Sequence, residues 1–171
     1  MYTIGILTIS DKGWRGERQD ESGPAIRQSL DGYEAKVVQY KIVPDEKDAI
    51  AEQLKVWSDE AGVDVIITTG GTGLAPRDVT PEATLSIIEK LVPGIPEAMR
   101  LNSLKKTPTA MLSRAVAGIR GHSLIINLPG SPKAVRECME VILPVLPHAV
   151  ETMRGQSNEC ASRIEGTAHA H

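Results

Sequence analysis

No phenylalanine occurs in these 171 residues, and aromatic side chains make up only 3% of them. A core without large rings must be built from Ile, Leu, Val and Ala. That composition suits an α/β fold, in which parallel strands are covered on both faces. Cysteine is scarce as well. Cys138 and Cys160 offer neither metal-ligand spacing nor a disulfide framework, which fits a reducing compartment. A basic excess is missing: 19 Lys and Arg stand against 22 Asp and Glu, a net charge of −3. A nucleic-acid backbone is therefore an unsuitable partner, whereas a small anionic ligand needs only local donors. No apolar run approaches the ~20 residues of a membrane helix. The opening MYTIGILTIS has no basic leader and no small-residue cleavage site, so it reads as a first strand rather than a signal peptide. These absences predict a cytoplasmic, soluble chain with one sizeable core.

What is present alternates. Short apolar, β-branched runs at residues 3–9, 35–42, 63–69 and 123–128 predict strands. Three are nearly continuous and read as buried on both faces; the run at 35–42 alternates and belongs nearer an edge. Helical spacing is predicted over 24–30, 45–61, 81–91, 96–104 and 132–153, the last split by Pro144 and Pro147. A short antiparallel strand from the 114–119 run could pair with 123–128. Strands alternating with helices imply an α/β fold with an open, mostly parallel sheet. One domain is expected over residues 1–154. The tail, 155–171, loses the apolar pattern and is expected to be mobile or to cross onto a neighbouring subunit. His169 and His171 within it make a poor metal site.

In an open parallel sheet, ligands bind beyond the carboxyl ends of the strands. Three such ends carry unusual chemistry. The first strand runs into Ser10 and Asp11, then on to Ser22-Gly23-Pro24. The third runs into Gly70-Gly71-Thr72-Gly73 and then Pro76-Arg77-Asp78-Val79-Thr80-Pro81-Glu82. The fourth runs into Pro129-Gly130-Ser131-Pro132. Thr80-Pro81 and Ser131-Pro132 share one grammar: a hydroxyl cap, then Pro in the first helical turn. Free N–H groups at such helix starts favour phosphate, and glycines let backbone approach a ligand closely. The glycine loop by itself is equally compatible with tight packing. It matches neither the P-loop nor the dinucleotide fingerprint.

The acids in these loops are less clear from pattern. Asp78 could serve the positive end of the following helix or hold Mg²⁺ against a polyphosphate. Asp45, in VPDEKD, reads as a helix N-cap ahead of any ligand role. Asp11 and Asp20 are loop acids with weaker claims. Arg114 could meet a phosphate or face solvent. His122 and His148 have no partners at suggestive spacing, so no serine–histidine–acid arrangement is legible.

Taken together, TTGGTG, PRDVTPEA, GIPEAMR, LSRAVAGIRG and NLPGSPKAV resemble the molybdenum-cofactor biosynthesis family, which includes bacterial molybdopterin adenylyltransferases and gephyrin-type G domains. The resemblance spans roughly residues 4–149. It implies a three-layer α/β/α sandwich of the molybdopterin-binding type, assembled as a trimer or dimer of trimers. It further implies adenylylation of molybdopterin by Mg-ATP with release of pyrophosphate, upstream of a molybdenum-insertion protein. Asp45 and Asp78 then match the family's functional acids, catalytic and Mg²⁺-binding. Ser10, Ser22, Gly23, the loop Gly70, Gly71, Thr72 and Gly73, Ser113, and the turn Pro129, Gly130, Ser131 and Pro132 match substrate-binding segments. Ser131 departs from the family pattern, where Asn or Gln stands, but it keeps a capping side chain. Two alternatives remain. One is a molybdopterin carrier without catalysis. The other is a pyridine-nucleotide-processing relative whose loop reads nearer TGGLGPTxDD, from which Thr72 and the PRDV segment point away.

Overall fold

A computed structural model describes residues 1–156. The expected tail lies almost wholly outside the described residues, as do Cys160, His169 and His171.

Six strands form one sheet. They are β1 (Tyr2–Ile9), β2 (Ala35–Val43), β3 (Val65–Thr69), β4 (Lys90–Leu91), β5 (Ala117–Arg120) and β6 (Ser123–Leu128), in the spatial order β2-β1-β3-β6-β5-β4. The pairs β1–β2, β1–β3 and β3–β6 are parallel; β5 pairs antiparallel with β6 and with β4. The alternating run is an edge strand, and the antiparallel hairpin exists. The helices are α1 (Asp11–Trp14), α2 (Ser22–Ser29), α3 (Lys47–Lys55), α4 (Thr80–Leu85), α5 (Gly94–Leu104), α6 (Pro132–Ile142) and α7 (Leu146–Met153). A short 3₁₀ turn at Leu143–Val145 separates α6 from α7, where Pro144 removes a backbone donor.

Side-chain alternation sorts the strands into two cores. Ile4, Ile6, Val65, Ile67, Leu124 and Ile126 pack against α2, α5, α6 and α7. Leu7, Ile9, Ile66 and Ile125 pack against α3 and α4. The architecture is thus the expected three-layer α/β/α sandwich, its core aliphatic apart from a few residues such as Tyr2 and Trp57.

Local boundaries depart from the sequence pattern at two places. The helix expected over 81–91 stops at Leu85, and Lys90 and Leu91 pair instead with Ile119 and Gly118. The helix expected from Asp45 begins at Lys47 and ends in a π-helical turn at Val56–Glu60.

The strand order turns at β1. The chain leaves β1 towards β2 on one side, then returns to β3 on the other. In register, Thr69 at the end of β3 lies beside Leu128 at the end of β6. The end of β1 lies beside the end of β3. Three chemically unusual loops therefore emerge side by side at a topological switch point, where open sheets bind ligands.

Candidate functional site

The glycine loop is built by its own constraints. Gly70 and Gly71 adopt φ of +99° and +69°, conformations that L side chains rarely take. A Cβ on Gly70 would strike the carbonyl of Ile9, and one on Gly71 would overlap Thr80 Oγ1. The loop thus lies directly on its neighbours. Gly70 N–H donates to the Leu128 carbonyl at 3.2 Å.

Thr80 corrects one expectation. It does not cap α4; its hydroxyl donates to the Gly70 carbonyl at 2.9 Å, and Val79 occupies the cap position without a side-chain bond. Thr80 is fully buried, so the hydroxyl goes to the loop carbonyl within reach rather than back to its own helix. Ser131 does cap α6, accepting from Ala134 N–H at 3.2 Å. Ser10 caps the single turn of α1, accepting from Gly13 N–H at 3.0 Å.

Arg114 neither faces solvent nor stands free for a phosphate. Its Nε donates to the Gly73 carbonyl at 2.8 Å, one Nη to the Asp78 carbonyl at 2.7 Å, and the other pairs with Glu82. Its backbone N–H donates to the Thr72 carbonyl. One guanidinium therefore holds both ends of the stretch between Gly73 and Asp78. Its fixed fork of donors suits that task.

Asp20, read as a minor loop acid, organises the opposite wall. It accepts from the N–H groups of Ser22 and Gly23 and from the hydroxyls of Thr8 and Tyr40, the last two at 2.7 and 2.6 Å. Burial and this hydrogen bond push the Tyr40 hydroxyl up to about 12. Ser22 in turn donates to the Gly130 carbonyl at 2.5 Å, and Thr69 to the Pro129 carbonyl at 2.7 Å. The α2 and α6 entrances are so joined across the sheet end.

Residues of these loops line two cavities. The first, about 490 Å³, is lined by Ser10, Arg18, Ser22, Gly70, Gly130 and Pro132 among others. The second, about 360 Å³, takes in Thr72, Gly73, Ser113 and Pro129, with Met99 and Cys138 at its apolar side. Ser131 lines both. Most of the expected substrate-binding residues thus divide over two cavities, while Gly23 and Gly71 line neither. Arg100 supports the second by donating to the Ser113 and Ala115 carbonyls.

The two acids stand against the same loop. Asp45 Oδ1 would lie 3.3 Å from a Cβ on Gly71, and Asp78 Oδ2 2.9 Å from one on Gly73. Asp78 Oδ2 also accepts from Ala75 N–H at 2.9 Å. Asp45 is not the N-cap of α3; that position is Glu46, without a side-chain bond. Instead Asp45 Oδ2 accepts from Asp11 N–H at 2.9 Å. Burial pushes the Asp45 carboxyl up, and the charges of Asp11 and Asp78 add to it against the Asp11 hydrogen bond. A divalent cation would relieve that accumulation of negative charge. No group of three or more metal-competent side chains occurs among the described residues. Two carboxylates nevertheless suit Mg²⁺, which keeps waters and shares its shell with substrate phosphates.

The chain matches known proteins over most of its length. A family described as a probable molybdopterin binding domain matches residues 5–148. The chain is 49% identical over 154 residues to a molybdopterin adenylyltransferase of Helicobacter pylori strain J99, covering 89% of this chain and 88% of that one. The solved structure of a molybdopterin biosynthesis enzyme, MoaB, of Thermus thermophilus superposes with a TM-score of 0.87 at 57% identity, covering 91% and 98% of the two chains. A tungsten cofactor synthesizing protein MoaB from Pyrococcus furiosus superposes at 0.78 with 37% identity, covering 90% and 98%. An aliphatic α/β sandwich, a glycine loop at its switch point and these matches along nearly its whole folded length establish that the chain belongs to the molybdopterin-binding family of molybdenum-cofactor biosynthesis.

Proposed function

We propose that the chain is a molybdopterin adenylyltransferase, transferring AMP from Mg-ATP to the terminal phosphate of molybdopterin and releasing pyrophosphate. The observation that carries this reading is the placement of Asp45 and Asp78 against one glycine loop, whose Gly70 lines one and whose Thr72 and Gly73 line the other of two cavities that share Ser131; Asp45 itself lines a third, of about 420 Å³. Two co-substrates could then occupy the two cavities with their phosphates meeting near Ser131. Relatives bearing that activity in their names match over most of the chain.

A phosphate oxygen of molybdopterin attacks the α-phosphorus of ATP. A new P–O bond forms as the α–β bridging P–O bond breaks, and pyrophosphate carries away the electron pair. The protein's contribution is positioning and charge neutralisation. Backbone N–H groups at the start of α6 and in the glycine loop orient the phosphates. Asp45 and Asp78 would hold Mg²⁺, which supplies positive charge at the polyphosphate. Arg114 keeps Asp78 in place through the backbone it braces. A buried free thiol at Cys138 accords with a reducing cytoplasm, and no helix among the described residues is long and apolar enough to cross a membrane.

Incubation with molybdopterin and Mg-ATP, followed by pyrophosphate release, tests the reading. The Asp78→Ala variant should lose at least about 100-fold in kcat, the scale of removing a transition-state electrostatic contact. Wild-type rates in that variant would sink the assignment. Molybdopterin binding without pyrophosphate release by the unaltered protein would favour a carrier or assembly module instead.

A further inference from the structure

Asp11 belongs to none of the motifs that carry the family resemblance, yet it forms a reciprocal clasp with Asp45. Asp11 N–H donates to Asp45 Oδ2 at 2.9 Å, and Asp45 N–H donates to Asp11 Oδ1 at 3.0 Å. Each side chain accepts from the other's main chain. Arg77 closes the arrangement with two bonds to the Asp11 carboxylate, Nε to Oδ2 at 2.5 Å and Nη2 to Oδ1 at 2.9 Å. Three loops are thereby joined: those after β1, β2 and β3.

The clasp decides how Asp45 is presented. Its Oδ2 is occupied by Asp11, so its Oδ1 faces Gly71. Its main chain is fixed by the Asp11 side chain. Two carboxylates in such contact repel unless a cation stands beside them. Arg77 provides that cation and holds the Asp11 carboxyl below its ordinary range. The Arg77 side chain is 59% exposed, so the pair adds little to stability; what it adds is geometry.

We propose that Asp11 is the positioning residue for Asp45, holding its free carboxylate oxygen toward the glycine loop, with Arg77 as the counter-ion that permits the contact. The proposal rests on the reading of Asp45 as a functional acid of adenylyl transfer. Asp11→Asn keeps an acceptor for Asp45 N–H; Asp11→Ala does not.

The test uses the full chain with three readouts: kcat and KM from pyrophosphate release, affinity for Mg-ATP alone by calorimetry, and thermal unfolding. Asp11→Ala should lower kcat about 10- to 100-fold, as a misplacement of order 1 Å does. Mg-ATP affinity should fall as well, while KM for molybdopterin changes less than about twofold. Asp11→Asn should recover most of the loss. Wild-type kcat and Mg-ATP affinity in Asp11→Ala would overturn the proposal, and so would an equal loss in Asp11→Asn. If Asp11→Ala does not fold, Asp11→Gln, which moves the acceptor by one methylene, replaces it in the same comparison. Failure of the underlying reading looks different: Asp45→Ala would then itself retain wild-type kcat.

Discussion

Asp64 shows how a single carboxylate ties distant parts of this chain. Its Oδ2 accepts from both the N–H and the hydroxyl of Thr3 at 2.8 Å, and from Arg154 at 2.8 Å. Burial pushes the Asp64 carboxyl up, but the bonds from Thr3 and Arg154 outweigh it and hold the group below 3.8. A folded-state value below the unfolded one stabilises above the unfolded value and is lost as pH falls through the folded one. Asp64→Asn should therefore cost about 1.5–3 kcal/mol at neutral pH, the range for hydrogen bonds to a charged group. Urea unfolding of both proteins should show that difference shrinking as pH falls through the range in which the carboxyl takes up its proton; a gap that stays constant on acidification would contradict the assignment. Asp45 makes a related point about legibility. Its pattern reads as a cap because caps are local, acting over about three residues. Its actual partner, Asp11, is 34 residues away, and nothing in local spacing reports such a contact.

At the scale of elements, two hydroxyl-Pro starts, Thr80-Pro81 and Ser131-Pro132, behave differently. Ser131 caps α6, whereas Thr80 is drawn to the Gly70 carbonyl. Both helices carry Pro in the first turn, so the turn chemistry was legible and the hydroxyl's choice was not. Replacing Ser131 by Ala should cost about 1 kcal/mol, lowering Tm by about 2–4 °C in a domain of this size. Ser131→Asn should restore it, since Asn caps equally well; differential scanning calorimetry of the three proteins decides. The short strand β4 reads as helix in the sequence for a comparable reason. Its neighbours Leu85, Ile87 and Ile88 carry helical spacing, but Glu89 N–H donates to the Ile119 carbonyl and Val92 N–H to that of Ala117. Pairing with β5 overrides a weak local preference.

Across the whole molecule, several large apolar side chains remain in solvent. Leu101 and Leu104 on α5 and Met111 and Leu112 just after it are exposed. Such side chains are consistent with an interface between copies, in line with the oligomer that the resemblance implies. Light scattering should give three times the single-chain mass, or six times it for a dimer of trimers. Leu101→Asp, a charge introduced into that face, should shift the mass toward that of one chain. An unchanged monomer in both proteins would refute the assembly.

The sequence by itself determined the fold class and the aliphatic core, and it marked the candidate loops for chemistry. Strand and helix periods, glycines and Pro-initiated helices act over a few residues, so a linear reading captures them. Ordered motifs extended that reading to Asp78, Asp45 and the loops proposed to bind substrate. Tertiary structure alone decided that the ends of β1, β3 and β6 lie side by side, and that most of the candidate substrate residues divide over two cavities. It also decided that Asp11, Asp20 and Arg114 hold the site in shape. Their partners lie far along the chain and meet only once the strand order and register of the sheet have brought those loops together.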